Sequence, residues 1–433
     1  MTAGQLARVV GVPGAVLLGL GSILGTGIFV SVGLAAGIAG PAVVLAVVIA
    51  AVVATCNGLS SAQLAASHPV SGGTYEYGYR YLDPTLGFIA GWMFLCAKSA
   101  SAATAALGFG GYVLAAADLD RSALGIALAV AAVAALTLIV AGGMTRSNRT
   151  NAIIVSTTLA ALALFVVVGI PSAREGAAIH LGGLAPGDTG ARDLLHATAL
   201  MFVAFTGYGR IATLGEEVTS PERTIPRAIV LALLATLVLY VAVVLVAIAT
   251  IGAGPLAAAA RGTAAPLEVV AEAFTVPQVR YVIAVAAITA MLGVLLNLLL
   301  GLSRVLLAMA RRGDMPPALA RLDDRRASPR AAVLVTGAVI ATLTLIGSVK
   351  TTWSFSAFTV LVYYAITNLA ALRLPPPHRR YPRWIPALGL ASCLFLAFWV
   401  EPRIWLSGLG LVAAGLLWKR FARRWRTPAP PPT

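Results

Sequence analysis

Carboxylates are scarce in this chain: 16 Asp and Glu stand against 31 Lys and Arg in 433 residues, and all charged residues together make up only 11%. None of the acids falls near the middle of a long apolar run, which counts against a carboxylate proton relay or a charged sodium ligand at mid-membrane depth. The three cysteines, Cys56, Cys96 and Cys393, are far apart and each sits in an apolar segment. They have neither metal-ligand spacing nor a disulfide framework and read as small buried hydrophobes. There is no phosphate-cradling glycine loop with its lysine, no His/Cys/Asp/Glu cluster and no nucleophile–base arrangement. No catalytic residue, metal or cofactor is therefore expected, and neither an enzyme nor an ATP-driven pump is supported. A cleaved signal peptide is not expected either, because the first apolar segment outruns an h-region and no cleavage site follows it.

What the chain does have is apolar length. Hydrophobic residues make up 59% of it, far beyond a soluble domain. Charge and Gly/Pro punctuation mark twelve apolar segments, beginning with 9–38 and 41–66 and ending with 384–400 and 404–418. By this topology about 21 of the basic residues fall in both tails and alternate loops on one side, and roughly 7 on the other, which by the positive-inside rule puts both termini in the cytoplasm. The excess of positive charge is thereby explained without a nucleic-acid partner. Between the spans, the tyrosine-rich stretch 68–84 is expected to lie at the membrane interface, and 171–193 to be an exposed connection without helix. A short helical pattern at 264–274, with Glu268 and Glu272, is placed across the outer mouth, and the tail 419–433 is expected to be disordered.

Two spans are interrupted where lipid demands continuous helix. The first carries Gly21, Gly25 and Gly27; the sixth, 194–214, reads Phe202-Val203-Ala204-Phe205-Thr206-Gly207-Tyr208-Gly209. Small residues in membrane helices also serve close packing, but paired breaks in two halves point to a transporter site at the midplane. Five spans separate them, so the sixth runs opposite to the first. The fold expected is all-α and integral to the membrane: 12 transmembrane helices in a 5+5 inverted repeat (9–175 and 190–374) with discontinuous helices 1 and 6, plus two accessory helices within 384–418. Amide donors at Gly25–Gly27 suit a carboxylate, and carbonyls freed around Ala204–Gly207 suit an ammonium, so together they describe an α-amino acid. Ile23, Phe202, Val203 and Phe205 form an apolar wall for its side chain.

Lys98, about twelve residues into the third span, is the one ionisable group near mid-depth. It either faces a cavity or a partner, where it disfavours cationic substrates and can hold a proton, or it snorkels. His196, Arg210 and Arg304 read as interfacial or snorkelling side chains, and Ser99, Ser101 and Thr104 as helix-packing residues.

The motifs Gly25-Thr26-Gly27-Ile28-Phe29, Pro69 to Tyr77 with Gly87-Phe88 and Gly91-Trp92, Phe202 to Tyr208, Glu216-Glu217-Val218 through Ile225-Pro226-Arg227, and Ser303-Arg304 with Gly313-Asp314-Met315-Pro316 run in order along nearly the whole chain. In this the chain resembles the amino acid–polyamine–organocation (APC) superfamily of permeases. The resemblance implies alternating access around a central site, with Gly25, Thr26 and Gly27 on the substrate carboxylate and Val203, Ala204 and Thr206 lining the site or meeting its amine. Val203 stands where L-type relatives often have an aromatic gate, which leaves Phe202 or Phe205 to cover the ligand. Thr158 stands where many prokaryotic relatives carry a lysine, and Gly209 where cationic amino acid transporters tend to have Asp. Lys98, Thr158 and Glu217 are the coupling or gating candidates. The expected function is secondary transport of a neutral amino acid across the cytoplasmic membrane, by proton symport or exchange. The rivals are a polyamine or organic-cation permease of the same fold and a non-transporting receptor or assembly subunit.

Overall fold

The computed structural model describes residues 10–70, 72–119, 122–143, 148–182, 190–215, 217–262, 264–322 and 329–422. Among them every regular element is helical, apart from one backbone bridge that pairs Val10 with Val218. Helix α1 (Val12–Ile23) ends where Leu24 turns to an extended ψ of 101°, and the chain resumes through a π-helical turn (Gly27–Ser31) into α2 (Val32–Ala39). At Gly40 a φ of 56°, open to glycine and strained for other residues, turns the chain into α3 (Val43–Ser67). There follow α4 (Thr74–Tyr81), α5 (Pro84–Ala116), α6 (Ser122–Ala141) and α7 (Asn148–His180). Helix α5 starts sharply because Asp83 accepts from the Thr85 and Leu86 amides and Pro84 needs no partner at the first position.

The second interruption is milder than the first. Helix α8 (Ala191–Phe205) passes through a tight 3-10 turn, Thr206–Tyr208, into the single turn α9 (Gly209–Ala212). Then come α10 (Pro221–Ile251), the short α11 (Ala253–Arg261) and α12 (Pro266–Glu272), α13 (Val279–Arg311), α14 (Arg330–Thr344), α15 (Val349–Leu372), α16 (Trp384–Ala397) and α17 (Pro402–Ala422). Among the described residues nine helical stretches are long and apolar enough to cross a bilayer, one of them running through the Gly40 turn. Helices α1, α14 and α16 are apolar but shorter. The chain is thus a multi-pass membrane protein of helices.

Helix α5 packs between α13 and α15 at the centre, and α10 packs on α3 and α7. Ser101 bonds to Ser356 (2.7 Å) and Thr104 to Thr352 (2.8 Å), so these hydroxyls join α5 to α15. Val10 and Glu217 pair at one face, which is called the terminal face below; Arg304 lies 3.8 Å from Glu217, and Trp418 donates to the Asp314 carbonyl. The far face carries Arg280 with Glu272 and Asp118, and Glu401 with Lys350.

Three expectations are corrected. Helix α7 does not stop at 170 but continues through Pro171 to His180, because its end leans on α10: Gly176 packs on the Ala249 carbonyl and His180 Nδ1 lies 2.9 Å from it. Two of the four tyrosines of α4 are shut inside the protein rather than spread on its surface. Tyr75 and Tyr77 are 1% exposed, and Tyr75 and Tyr79 both donate to Asp314 Oδ2, at 2.8 and 2.6 Å, which draws α4 into the protein. Helix α17 covers the start of the predicted tail to Ala422; residues 423–433 and Glu216 lie outside the described residues.

Candidate functional site

The two interruptions meet. A Cβ on Gly27 would lie 2.6 Å from Ala204 Cβ and 2.9 Å from its Cα, and one on Gly207 would lie 2.6 Å from the Ile23 amide nitrogen. Glycine at both positions lets the backbones of the first and sixth helices touch. The polar groups freed by the irregular backbone are then bridged by tyrosines. Tyr240, from α10, donates to the carbonyls of Ile23 (3.0 Å) and Ala204 (3.3 Å), and Tyr364, from α15, donates to that of Thr206 (3.2 Å). Open groups at the first break among the described residues include the buried Gly25 N–H, which has no backbone acceptor, and the buried Thr26 hydroxyl, which has no partner.

Directly beside this crossing, towards the terminal face, lies a cavity of about 410 Å³. Ser22, Thr206 and Gly207 bound it at the crossing, Val294 and Asn297 along α13, and Tyr363 and Tyr364 along α15. Among the described residues its charged lining is of one sign: Lys98, Arg210, Arg304 and Arg311, with no carboxylate. Lys98 is 9% exposed, and its Nζ donates to Thr206 Oγ1 at 2.9 Å. The Thr206 hydroxyl in turn donates to the Val203 carbonyl (2.8 Å), so the ammonium is tied to the turn that interrupts the sixth helix. Among the described residues Arg210 holds only the Thr213 hydroxyl, at 3.4 Å, and faces the cavity; Arg304 lines it too.

Of the residues marked in the sequence, Lys98, Thr206, Gly207, Gly209, Arg210 and Arg304 are brought to the cavity wall. Ile23, Gly25, Thr26, Gly27, Ile28, Phe202, Val203, Ala204 and Phe205 are buried in the packing behind it. Val294 explains much of this, because a Cβ on Gly25 would meet Val294 Cγ2 at 2.7 Å, so that side chain stands over Gly25. Phe202 stacks edge-on to Tyr364 and Phe205 leans on Tyr240. Thr158 is turned onto its own helix, donating to the Ile154 carbonyl at 2.8 Å. Glu217 is remote from the crossing, at the terminal face.

Sequence reasoning missed Tyr240, Tyr364, Val294 and Asn297. Asn297 donates to the Gly21 carbonyl at 3.2 Å, which holds α13 against α1. Tyr240 and Asn297 are isolated polar residues in the middle of apolar runs, and that was a usable signal. Val294 carried none.

Across the far face the crossing is covered. Helix α11 lies along α2, with the sites of Gly33 and Gly37 closed by Ala260 and Ala257, and Tyr112 donates to the Phe29 carbonyl at 2.8 Å.

Comparison with known proteins identifies the family. Residues 14–424 match the family model described as amino acid permease. A Mycobacterium bovis protein named as an uncharacterized transporter is 42% identical, the match covering 95% of this chain and 90% of that one. The branched-chain amino acid permease BcaP of Bacillus subtilis is 29% identical over 90% of this chain and 88% of its own. A methylthioribose transporter of the same bacterium is 28% identical over 95% and 93%.

Proposed function

The chain belongs to the amino acid permease family, and from that premise we propose that it carries a neutral amino acid across the cytoplasmic membrane by alternating access, coupled to a proton or to exchange. It is a transporter and not an enzyme. The observation that carries the proposal is the cavity at the crossing of the two interrupted helices, whose charged lining among the described residues is cationic. Such a wall repels a polyamine or a cationic amino acid and accepts a zwitterion.

In this reading the substrate carboxylate meets the amides and hydroxyl at Gly25, Thr26 and Gly27, and the amine meets carbonyls around Val203, Ala204 and Thr206. The open Gly25 N–H and Thr26 hydroxyl support the first contact. Tyr240 and Tyr364 hold the carbonyls and give way to the amine, and Val294 swings from Gly25 to admit the carboxylate. Ile23, Ile28, Phe202 and Phe205 wall the side chain. The chain forms two inverted five-helix units, 9–175 and 190–374, followed by α16 and α17, with both termini in the cytoplasm. The cavity is then the inward-facing vestibule.

The test is uptake of labelled leucine into proteoliposomes, challenged with unlabelled neutral amino acids, arginine and putrescine. Competition by the neutral set alone is the expected result. Stronger competition by putrescine or arginine contradicts the substrate class, and no ligand-dependent flux at all favours a non-transporting receptor.

A further inference from the structure

Glu268 is the most anomalous side chain outside the cavity. It is 1% exposed, and among the described residues neither carboxyl oxygen has a hydrogen-bond partner. It sits on α12, in the α11–α12 segment that covers the outer half of the first interrupted helix, where α11 lies along α2 and α12 touches the π-helical turn. The charged and titratable groups around it do not neutralise it. From α13, Arg280 faces it but is already held by Glu272 (2.6 Å) and by Asp118 (3.3 Å), which come from its own helix and from the connection after α5. From α5 the neighbour is the Tyr112 hydroxyl, which donates to the Phe29 carbonyl. From α11 the only charged residue is Arg261, whose guanidinium lies at Gly37; α2 has none, and those of α10 are at its opposite end.

An ionised carboxylate shut away without a partner is costly enough that the group binds a proton instead. We propose that Glu268 is the proton-binding residue of the far-side gate: closing α11–α12 over the first helix takes up one proton at its carboxyl, and opening that side to water releases it. This rests on the reading of the chain as an alternating-access permease and names the residue through which pH enters its cycle. No bond is made or broken beyond the O–H of the carboxyl. Burial pushes Glu268 up from the ordinary 4.5 to about 7, so the gate's preference for closure falls by up to tenfold per pH unit between those values and levels off above them.

The test is amino acid counterflow in proteoliposomes of the intact protein, with the same pH on both sides so that no gradient drives it. For the wild type the exchange rate should fall as pH is raised from 5 to 7; E268Q, neutral and of the same shape, should hold the low-pH rate throughout. E175Q, which removes an exposed acid of α7 that touches neither Glu268 nor Arg280, should keep the wild-type profile. Thermal unfolding in detergent gives a second readout: wild type loses stability relative to E268Q over the same pH interval. A fall in E268Q that matches the wild type, or a flat wild-type profile in protein that does exchange amino acids, overturns the proposal and leaves the permease reading standing. Wild-type protein that exchanges no amino acid at any pH overturns that reading, and the proposal with it.

Discussion

Replacing Gly207 with alanine tests whether the two interrupted helices must touch backbone to backbone. The added methyl would lie 2.6 Å from the Ile23 amide nitrogen and closer still to the Ser22 carbonyl. Ordinary contact needs roughly 3.5 Å, so the sixth helix must back away from the first by on the order of 1 Å. Neither obstructing group is a side-chain end that can rotate aside. Overpacking of this kind costs about 1–3 kcal/mol, and the displacement also stretches the bonds from Tyr240 and Tyr364 that close over Ala204 and Thr206. Gly207→Ala should therefore lower the melting temperature of the detergent-solubilised protein by several degrees and cut leucine uptake by tenfold or more. Gly301→Ala is the matched control: it lines the same cavity, and nothing stands within 4 Å of the new methyl. It should leave melting unchanged. If Gly207→Ala melts and transports like the wild type, the crossing is looser than described and the packing argument fails.

Lys98→Met keeps the length of the side chain and removes its charge; arginine, inert against the wild type, should then compete with leucine uptake, and unchanged selectivity would remove Lys98 from specificity. Tyr240→Phe retains the contact with Phe205 but strips the donor from the Ile23 and Ala204 carbonyls, a loss of about 1–3 kcal/mol that a thermal melt should register. Glu401, on the far face, is held well below the usual carboxylate range first by His196 and then by Lys350. A depressed carboxylate stabilises the fold above its ordinary value near 4.5 and ceases to as pH falls through the lowered one. The melting gap between wild type and Glu401→Gln, under about 1 kcal/mol for this partly exposed pair, should therefore shrink as pH drops below 4.5.

The breaks in the first and sixth spans were legible because lipid tolerates no unpaired backbone, so that Gly25, Gly27 and Gly207 inside apolar runs stand out at once. How those breaks are covered was not. Tyr240 reaches back to the carbonyls of Ala204 and Ile23, 36 and 217 residues before it, and hydrophobic periodicity says nothing about which hydroxyl meets which carbonyl. The four tyrosines after 74 read as interfacial because rings favour the headgroup region. The decisive partner, Asp314, lies at the end of another helix. Likewise Pro171 signalled a stop, yet a prolyl ring within α7 was tolerated where the helix end gains the Ala249 contact. Lys98 shows the limit from the other side. Its depth was readable from the sequence, while the choice between cavity and snorkelling needed the position of Thr206.

The central claim is that this cavity is the route of a zwitterion. Counterflow of labelled leucine in proteoliposomes preloaded with unlabelled leucine measures that most directly, with Gly207→Ala run beside the wild type. The account expects rapid accumulation of label by the wild type and its collapse in the variant. Label that enters neither, or that enters both at one rate, contradicts it.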